Sequence, residues 1–288
     1  MTVAPPFIER FSTLAPSYDV VLSDVWGVVH NGVTAYPDAG EALKRFRDRG
    51  GTVILVSNSP RPGVPVRSQL DGFGVIRAAY DDVVTSGDVT RALLMERPGA
   101  NVFHVGPKRD LPIFEGLDIS FVPLEAADVV VCSGLFDDTT ETPEHYRALL
   151  GKILARGLTL ICGNPDVVVE RGEELVYCAG AIADLYGTLG GEVIYAGKPH
   201  RPIYTEALRM AAALRGATPP LERVLAIGDS VRTDLTGAAR IKVDCLFVTA
   251  GIHAEELGER HDPDADALAR MFAQAGVHPK AVTPRLVW

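Results

Sequence analysis

Short apolar runs that end in polar residues recur along the chain and predict strands buried on both faces. One run covers 20–22 and leads to Asp24, and a second covers 52–56 and leads to Ser57. Between them, the segment from 37 to 48 has apolar residues at helical spacing and is followed by two glycines. A strand, a helix and a strand in this order predict two parallel strands joined by a right-handed crossover.

The C-terminal third of the chain repeats this pattern. An apolar run at 224–227 leads into Gly228 and Asp229, a helix is predicted over 233–240, and another strand is predicted over 245–248. In an open parallel sheet, ligands bind at the edge formed by the carboxyl ends of the strands. The polar residues that follow these apolar runs are therefore the first candidates for a functional site.

The middle of the chain has its own alternation of elements. Strands are predicted over 102–105, 128–132 and 158–162, and an amphipathic helix is predicted over 142–156. About 100 residues suffice for a separate hydrophobic core. The predicted fold class is therefore α/β, with a Rossmann-like parallel-sheet core and an inserted α/β domain. The core is expected at 1–85 and 188–288, and the inserted domain at 86–187.

Composition narrows the function classes. The 288 residues include 28 Lys and Arg against 37 Asp and Glu, a net charge of -9, so nucleic acid is not expected as the main partner. No apolar run approaches the roughly 18 residues of a membrane span, and the first residues do not resemble a secretion signal. The four cysteines form no C-x-x-C pair, which favours buried thiols and a cytoplasmic location.

Several common catalytic motifs do not occur: the P-loop, the dinucleotide glycine fingerprint, the G-x-S-x-G elbow and H-E-x-x-H. What remains is a set of polar residues at or near the strand ends. A strand-end carboxylate can attack phosphorus, further carboxylates can hold Mg²⁺, and hydroxyl, amide and lysine groups can bind phosphoryl oxygens. The members of this set are Asp24, Ser57, Asn58, Lys198, Asp229 and Asp234.

The order of these segments resembles the haloacid dehalogenase-like (HAD) superfamily. The subclass it is similar to, IIA, carries an α/β cap between its second and third motifs and includes sugar- and nitrophenyl-phosphatase-like members. The segments that carry the resemblance are 22–28 (LSDVWGV), 56–59 (VSNS), 197–199 (GKP) and 228–234 (GDSVRTD), together with 163–166 (GNPD) inside the expected cap. The resemblance covers nearly the whole chain.

The resemblance implies a role for each residue. Asp24 is the nucleophile that forms an aspartyl-phosphate, Lys198 neutralises charge, and Ser57 and Asn58 bind the phosphoryl group. Mg²⁺ is the implied cofactor, and its implied ligands are Asp24, the carbonyl of Trp26 and Asp229, with Asp234 as a further candidate ligand. From the residues alone, the role of Asp234 stays undecided among three alternatives: a metal ligand, a residue that supports the metal ligands, and a helix cap. Caps of this size often accompany dimers, so a homodimer is expected from the resemblance alone.

Trp26 departs from the family pattern, because the family has its general acid/base two residues after the nucleophile. Positioned acid/base catalysis contributes roughly 10²–10⁴-fold, or on the order of 3–5 kcal/mol of barrier. Phosphates whose leaving group needs no proton would then be favoured over sugar phosphates. Trp26 is also included among the substrate-binding residues, and its function stays open: it packs as a hydrophobic wall against the cap, or it closes the site against alkyl substrates or marks lost catalysis. His30 is a candidate for the missing acid/base.

The leading hypothesis is a Mg²⁺-dependent phosphohydrolase of a small phosphorylated metabolite, acting through Asp24. The alternative is a non-catalytic module that binds phosphate or a metabolite and has a regulatory role, and Trp26 is the observation that favours it. Carbon–halogen hydrolysis is disfavoured, because the segment around Asp229 suits a metal ion. The sequence does not identify the substrate.

Overall fold

The structure is a computed structural model that describes residues 5–171, 174–259 and 262–288. Short strands alternate with helices along most of the chain. The α-helices are α1 Pro37–Asp48, α2 Gly63–Phe73, α3 Ser86–Met95, α4 Arg147–Ala155, α5 Ala179–Thr188, α6 Arg201–Arg215, α7 Thr236–Ile241 and α8 Ala265–Ala275. Across the described residues, no helix is both long and apolar enough to cross a membrane.

The strands are short and most of them are parallel to their neighbours. They are β1 Val20–Ser23, β2 Thr52–Ser57, β3 Asp82–Thr85, β4 Ala100–Val105, β5 Ile119–Phe121, β6 Val129–Cys132, β7 Leu160–Cys162, β8 Val168–Arg171, β9 Glu174–Tyr177, β10 Val193–Tyr195, β11 Val224–Gly228, β12 Asp244–Val248, β13 Gly258–Glu259, β14 Asp262–Pro263 and β15 Ala281–Thr283. β8 with β9 and β13 with β14 form two antiparallel pairs.

The chain folds into two compact units. The first comprises Met1–Ser57, Arg67–Val84 and Tyr204–Trp288, and the second comprises Asn58–Val66 and Thr85–Ile203. The insert expected at 86–187 lies within the second unit, which extends further because β10 pairs with β7 and so belongs to its sheet. Such pairing between distant segments is not visible in a local apolar pattern.

The first unit is built on a six-stranded sheet in the order β15-β12-β11-β1-β2-β3. β1 is parallel to both β2 and β11, and all its residues are buried, as the apolar run at 20–22 predicts. α1 buries Ala42, Leu43 and Phe46, the face expected from the sequence. From β1 the chain proceeds to β2 and β3 and later returns on the other side of β1 as β11. The strand order therefore reverses between β1 and β11.

The second unit is built on a five-stranded sheet in the order β10-β7-β6-β4-β5, in which every pair is parallel. Its core includes the fully buried Tyr186 and Ile153. The helix expected over 142–156 consists of a 3-10 turn, Pro143–Tyr146, followed by α4. The α/β fold class predicted from the sequence is confirmed in both sheets.

The buried thiols expected from the sequence are also found. All four cysteines are buried and none forms a disulfide bond: Cys132, Cys162, Cys178 and Cys245.

Candidate active site

Three carboxylates cluster at the carboxyl-end edge of the first unit's sheet. Asp24, Asp229 and Asp234 each place one carboxylate oxygen within 4.8 Å of the others. The three residues are 9%, 5% and 3% exposed. Asp24 follows β1 and Asp229 follows β11, so the cluster lies where the strand order of this sheet reverses.

Backbone groups orient the Asp24 carboxylate. The Asp24 N–H donates to the Ile227 carbonyl at 2.7 Å and extends the pairing of β1 with β11 by one residue. Asp24 Oδ1 accepts the Val25 N–H at 2.7 Å. The Ser23 hydroxyl donates to the Asp24 carbonyl at 2.8 Å. The strand pairing therefore determines where Asp24 lies, and the next peptide fixes the direction of its side chain.

Two glycines make room for the Asp229 carboxylate. A Cβ on Gly27 would lie 1.9 Å from Asp229 Oδ2, and a Cβ on Gly251 would lie 2.0 Å from the same oxygen. That oxygen also accepts the Ile252 N–H at 2.8 Å. Gly27 has φ +80°, a conformation that side chains rarely adopt. Asp229 is therefore held by two loops that have no side chains at the points of contact.

Replacing Gly27 with alanine is expected to displace Asp229 and to weaken Mg²⁺ binding at least about tenfold, the usual loss when support of a metal ligand is removed. Gly50→Ala is the matched control. Gly50 has a similar φ of +86° but nothing within 4 Å of its added Cβ, so it carries the backbone strain without the clash. Titration of both variants with Mg²⁺ measures the difference. Equal Mg²⁺ affinity in the two variants would show that Gly27 does not support Asp229.

Asp234 lies inside a helical turn and is not its cap. The turn Val231–Leu235 is π-helical, and its N-cap is Ser230, whose side chain accepts the Thr233 N–H at 3.3 Å. Asp234 Oδ2 accepts the Ser230 N–H at 3.2 Å. Ser230 is therefore the N-cap residue of this turn, and the Asp234 carboxylate closes the turn by accepting the N–H of Ser230. The helix predicted over 233–240 is formed by this turn together with α7.

The donor set of this cluster suits a divalent cation. Three buried carboxylates within 4.8 Å repel one another strongly unless a cation or protons neutralise them. Carboxylate oxygens are the ligands that hard cations such as Mg²⁺ prefer. Asp24, Asp229 and Asp234 therefore fit a metal ion.

Trp26 packs within its own loop. Its ring meets His30 edge to face at 5.2 Å, and a Cβ on Gly32 would lie 2.4 Å from its six-membered ring. The ring nitrogen Nε1 is buried and has no hydrogen-bond partner among the described residues. The side chain two residues after Asp24 is therefore an indole whose only polar atom has no hydrogen-bond partner among the described residues.

His30 does not suit the acid/base role suggested for it. It is buried, and its Nδ1 accepts the Gly32 N–H at 2.8 Å, so its proton resides on Nε2. Burial lowers the pKa of His30 to about 4. The imidazole is therefore neutral near pH 7 and has no readily donated proton. A neutral imidazole argues against His30 as the general acid.

In the second unit, the side chain of Asn58 holds the backbone of Lys198. Asn58 Oδ1 accepts the Lys198 N–H at 2.7 Å, and its Nδ2 donates to the Lys198 carbonyl at 3.2 Å. Nδ2 also donates to Asp166 Oδ1 at 2.8 Å. Both amide hydrogens are therefore engaged within the protein, which argues against a direct contact of this side chain with the phosphoryl group. The Asn58 side chain fixes the backbone of Lys198, a residue only 3% exposed.

Ser57 is the remaining residue of the expected site. Ser57 is the last residue of β2 and is partly buried. Sequence reasoning missed the supporting contacts of Gly27, Gly251 and Asp166. Gly27 and Gly251 each follow a predicted strand. A glycine at such a place can indicate that another group lies close to the backbone. The contact of Asp166 with Asn58 joins residues 108 positions apart, and no local signal indicates it.

The first unit has a parallel sheet with a carboxylate cluster at its switch point. The second α/β unit is inserted in the chain of the first. These two features define a Rossmann-like enzyme with an inserted domain. Residues 21–120 match the family model of haloacid dehalogenase-like hydrolases, and 195–275 match the model described as HAD-hydrolase-like. A haloacid dehalogenase-like hydrolase from Brucella suis 1330 is 47% identical, with 98% of this chain and 100% of that chain covered and a TM-score of 0.87. The chain therefore belongs to the haloacid dehalogenase-like hydrolases, in the subclass resembled by the sequence.

More distant relatives have named activities. The 5'-nucleotidase YutF of Bacillus subtilis is 25% identical over 242 residues, which cover 83% of this chain and 90% of that protein. A p-nitrophenyl phosphatase from Archaeoglobus fulgidus shares the fold, with a TM-score of 0.71, 23% identity and coverage of 94% and 97% of the two chains.

Proposed function

We propose that this protein is a Mg²⁺-dependent phosphohydrolase that acts on a small phosphorylated metabolite through an aspartyl-phosphate on Asp24. The observation that carries the proposal is the buried cluster of Asp24, Asp229 and Asp234 at the switch point of the first sheet. The names of the nucleotidase and nitrophenyl phosphatase relatives support the same reaction class. The buried thiols, which form no disulfide bond, favour a cytoplasmic location.

Asp24 attacks phosphorus through a carboxylate oxygen, and the Val25 N–H that donates to Oδ1 helps to fix the direction of the carboxylate. The new O–P bond forms as the bond to the leaving group breaks, and the leaving group departs with the electron pair. Water then attacks the aspartyl-phosphate, which releases phosphate and restores the carboxylate. A divalent cation held by Asp24, Asp229 and Asp234, with the Trp26 carbonyl, would neutralise charge on the phosphoryl oxygens.

Lys198 and Ser57 assist the same reaction in this proposal. Lys198 neutralises charge on the phosphoryl group, and the Ser57 hydroxyl donates to a phosphoryl oxygen. Asn58 contributes by fixing the Lys198 backbone through two hydrogen bonds. Catalysis of phosphoryl transfer depends mostly on positioning and electrostatics. A lysine whose backbone N–H and carbonyl are both hydrogen-bonded is well positioned to neutralise charge on the phosphoryl group.

Trp26 selects the leaving group. The indole donates no proton near neutral pH, and the nearby His30 is neutral because burial lowers its pKa to about 4. The missing acid/base raises the barrier for alkyl esters by roughly 3–5 kcal/mol. Acyl, aryl and anhydride phosphates avoid this cost, since their leaving groups are stable as anions. The substrate is therefore a phosphate with an acidic leaving group.

Phosphate release from acetyl phosphate tests this proposal. The wild-type chain is expected to release phosphate with Mg²⁺, to lose at least about 10²-fold of that rate when the metal is chelated, and to recover it when Mg²⁺ is restored. A hexose phosphate serves as the comparison and is expected to react far more slowly. Metal-independent release would contradict the proposal. Binding of Mg²⁺ and phosphate without turnover of any acidic-leaving-group phosphate would favour a non-catalytic binding module instead.

A further inference from the structure

The loop that follows β12 contacts two parts of the carboxylate cluster within the first unit. The Ile252 N–H donates to Asp229 Oδ2 at 2.8 Å. The next residue, His253, accepts the Val231 N–H through Nε2 at 3.4 Å. Val231 is the first residue of the π-helical turn that contains Asp234. Consecutive residues of one loop therefore contact the Asp229 carboxylate and the turn that carries Asp234.

The Val231 N–H needs an acceptor from outside its own turn. The first N–H groups of a helical segment have no partner within that segment. Val231 is only 8% exposed, and a buried N–H without a partner is costly. The Ser230 side chain accepts the Thr233 N–H, and the Thr236 hydroxyl donates to the Val231 carbonyl at 2.7 Å. His253 supplies the acceptor for the N–H, so both polar backbone groups of Val231 are engaged.

The contacts of His253 define which ring nitrogen carries the proton. Nε2 accepts a hydrogen bond, so the proton is on Nδ1, which lies 3.1 Å from Glu256 Oε2. The Leu257 N–H donates to the His253 carbonyl at 3.1 Å. Leu257 is 1% exposed and belongs to the same buried apolar cluster as Val231. The ring of His253 is therefore oriented by Glu256, and its backbone is anchored in the core.

One peptide unit connects His253 to the backbone of Asp234. The Val231 N–H and the Ser230 carbonyl belong to the same planar peptide. At the carbonyl end, that peptide accepts the Asp234 N–H at 3.0 Å. The Ser230 N–H in turn donates to Asp234 Oδ2 at 3.2 Å. Holding this peptide through its N–H therefore restricts both the backbone and the carboxylate of Asp234.

We infer that His253 is a positioning residue of the metal site, because it fixes the peptide that orders Asp234. This role rests on the proposed function, since it requires that the carboxylate cluster binds Mg²⁺. Mg²⁺ demands near-ideal octahedral geometry, whereas Ca²⁺ accepts about six to eight oxygens in a flexible arrangement. A displaced Asp234 carboxylate therefore weakens binding of Mg²⁺ more than binding of Ca²⁺.

Two amide variants of His253 test this role. Glutamine places its side-chain oxygen near the position of Nε2, whereas the shorter asparagine reaches only the position of Nδ1. Titration calorimetry measures Mg²⁺ and Ca²⁺ binding to the full chain. His253→Asn is expected to weaken Mg²⁺ binding about tenfold, the low end of the loss for supporting residues, and Ca²⁺ binding less than about threefold. His253→Gln is expected to restore the wild-type ratio of the two affinities. An unchanged ratio in His253→Asn would overturn the inference.

His278→Asn is the matched control, because His278 is an exposed histidine beyond the end of α8. Both of its metal affinities are expected to equal those of wild type. Thermal melting of the metal-free variants shows whether they fold. A lower melting temperature in His253→Asn with an unchanged ratio of affinities would indicate a merely structural role and overturn the inference. If His253→Asn does not fold, His253→Phe takes its place, since it keeps a ring beside Phe247 without an acceptor, and the same criterion applies.

A double variant tests whether His253 acts through Asp234. Mg²⁺ affinity is measured for Asp234→Asn with and without His253→Asn. If His253 acts by placing the Asp234 carboxylate, the second substitution is expected to cause no further loss, because effects of residues that share one interaction are not additive. The same loss as in the wild-type background would show that His253 acts elsewhere and would overturn the inference.

Phosphate release from acetyl phosphate is measured on the same preparations, because it separates this role of His253 from the proposed function. A wild-type chain that releases no phosphate, with the Mg²⁺ loss confined to His253→Asn, would contradict the proposed reaction and leave the role of His253 intact. Mg²⁺-dependent phosphate release with unchanged metal affinities in His253→Asn would leave the proposed reaction intact and overturn the role of His253.

Discussion

Replacing Asp24 with asparagine is expected to lower kcat for acetyl phosphate by about 10⁴-fold or more, the usual scale for loss of a covalent nucleophile. An amide oxygen does not attack phosphorus effectively. The substitution keeps the size of the side chain and an oxygen that can accept the Val25 N–H. It also removes one charge from a buried cluster of three carboxylates, so the fold is expected to be retained. Steady-state phosphate release measures the loss.

Asp38→Asn is the control for this experiment. Asp38 is an exposed carboxylate in the first turn of α1, outside the cluster, and its removal is expected to leave kcat unchanged. Thermal melting of both variants separates loss of activity from loss of structure. If a folded Asp24→Asn variant retained the wild-type rate, Asp24 would not be the nucleophile.

Trp26→Asp is expected to raise kcat/KM for a hexose phosphate by roughly 10²–10⁴-fold, because it supplies the missing proton donor. The rate with acetyl phosphate is expected to change much less, since acetate leaves without a proton. Loss of the indole also removes its packing on His30 and Gly32. Trp26 is only partly buried, so its loss is expected to cost less than the about 3–5 kcal/mol of unfolding free energy typical of a fully buried aromatic ring. The assay is nevertheless run well below the melting temperature of the variant.

Trp26→Asn is the matched control, because it has the same size as aspartate and opens the same space but carries no titratable proton. The two variants are compared with the hexose phosphate at several pH values. A gain confined to the aspartate variant indicates acid/base catalysis. An equal gain in both variants would mean that the indole blocks alkyl substrates by its bulk, and the proton-donor account would then be wrong.

The positions of Asp24 and Asp229 were predictable because each follows a buried run of apolar residues. Parallel strands bring their carboxyl ends to one edge, so two carboxylates far apart in sequence meet there. The involvement of Asp234 was only partly predictable. Its four-residue separation from Ser230 suits one helical turn, but the π-helical geometry of that turn is not encoded in the apolar pattern.

The role of Asn58 could not be predicted from the sequence. Its amide pairs with the backbone of Lys198, 140 positions away, and tertiary structure alone makes that contact. The same reason explains the second unit's extent, because the pairing of β10 with β7 joins distant segments. The sequence shows that glycines occur at the two positions that lie next to Asp229 in the fold. Only the fold shows that the Asp229 side chain fills the space beside them.

The measurement that tests the central claim most directly is the location of the phosphoryl group during turnover. Wild-type protein is mixed with acetyl phosphate and Mg²⁺, quenched in acid and digested, and the peptides are analysed by mass spectrometry. The account predicts a phosphoryl group on Asp24 that forms before phosphate is released and is not found in Asp24→Asn. Phosphate release with no phosphoryl group on Asp24, or with one on another residue, would contradict it.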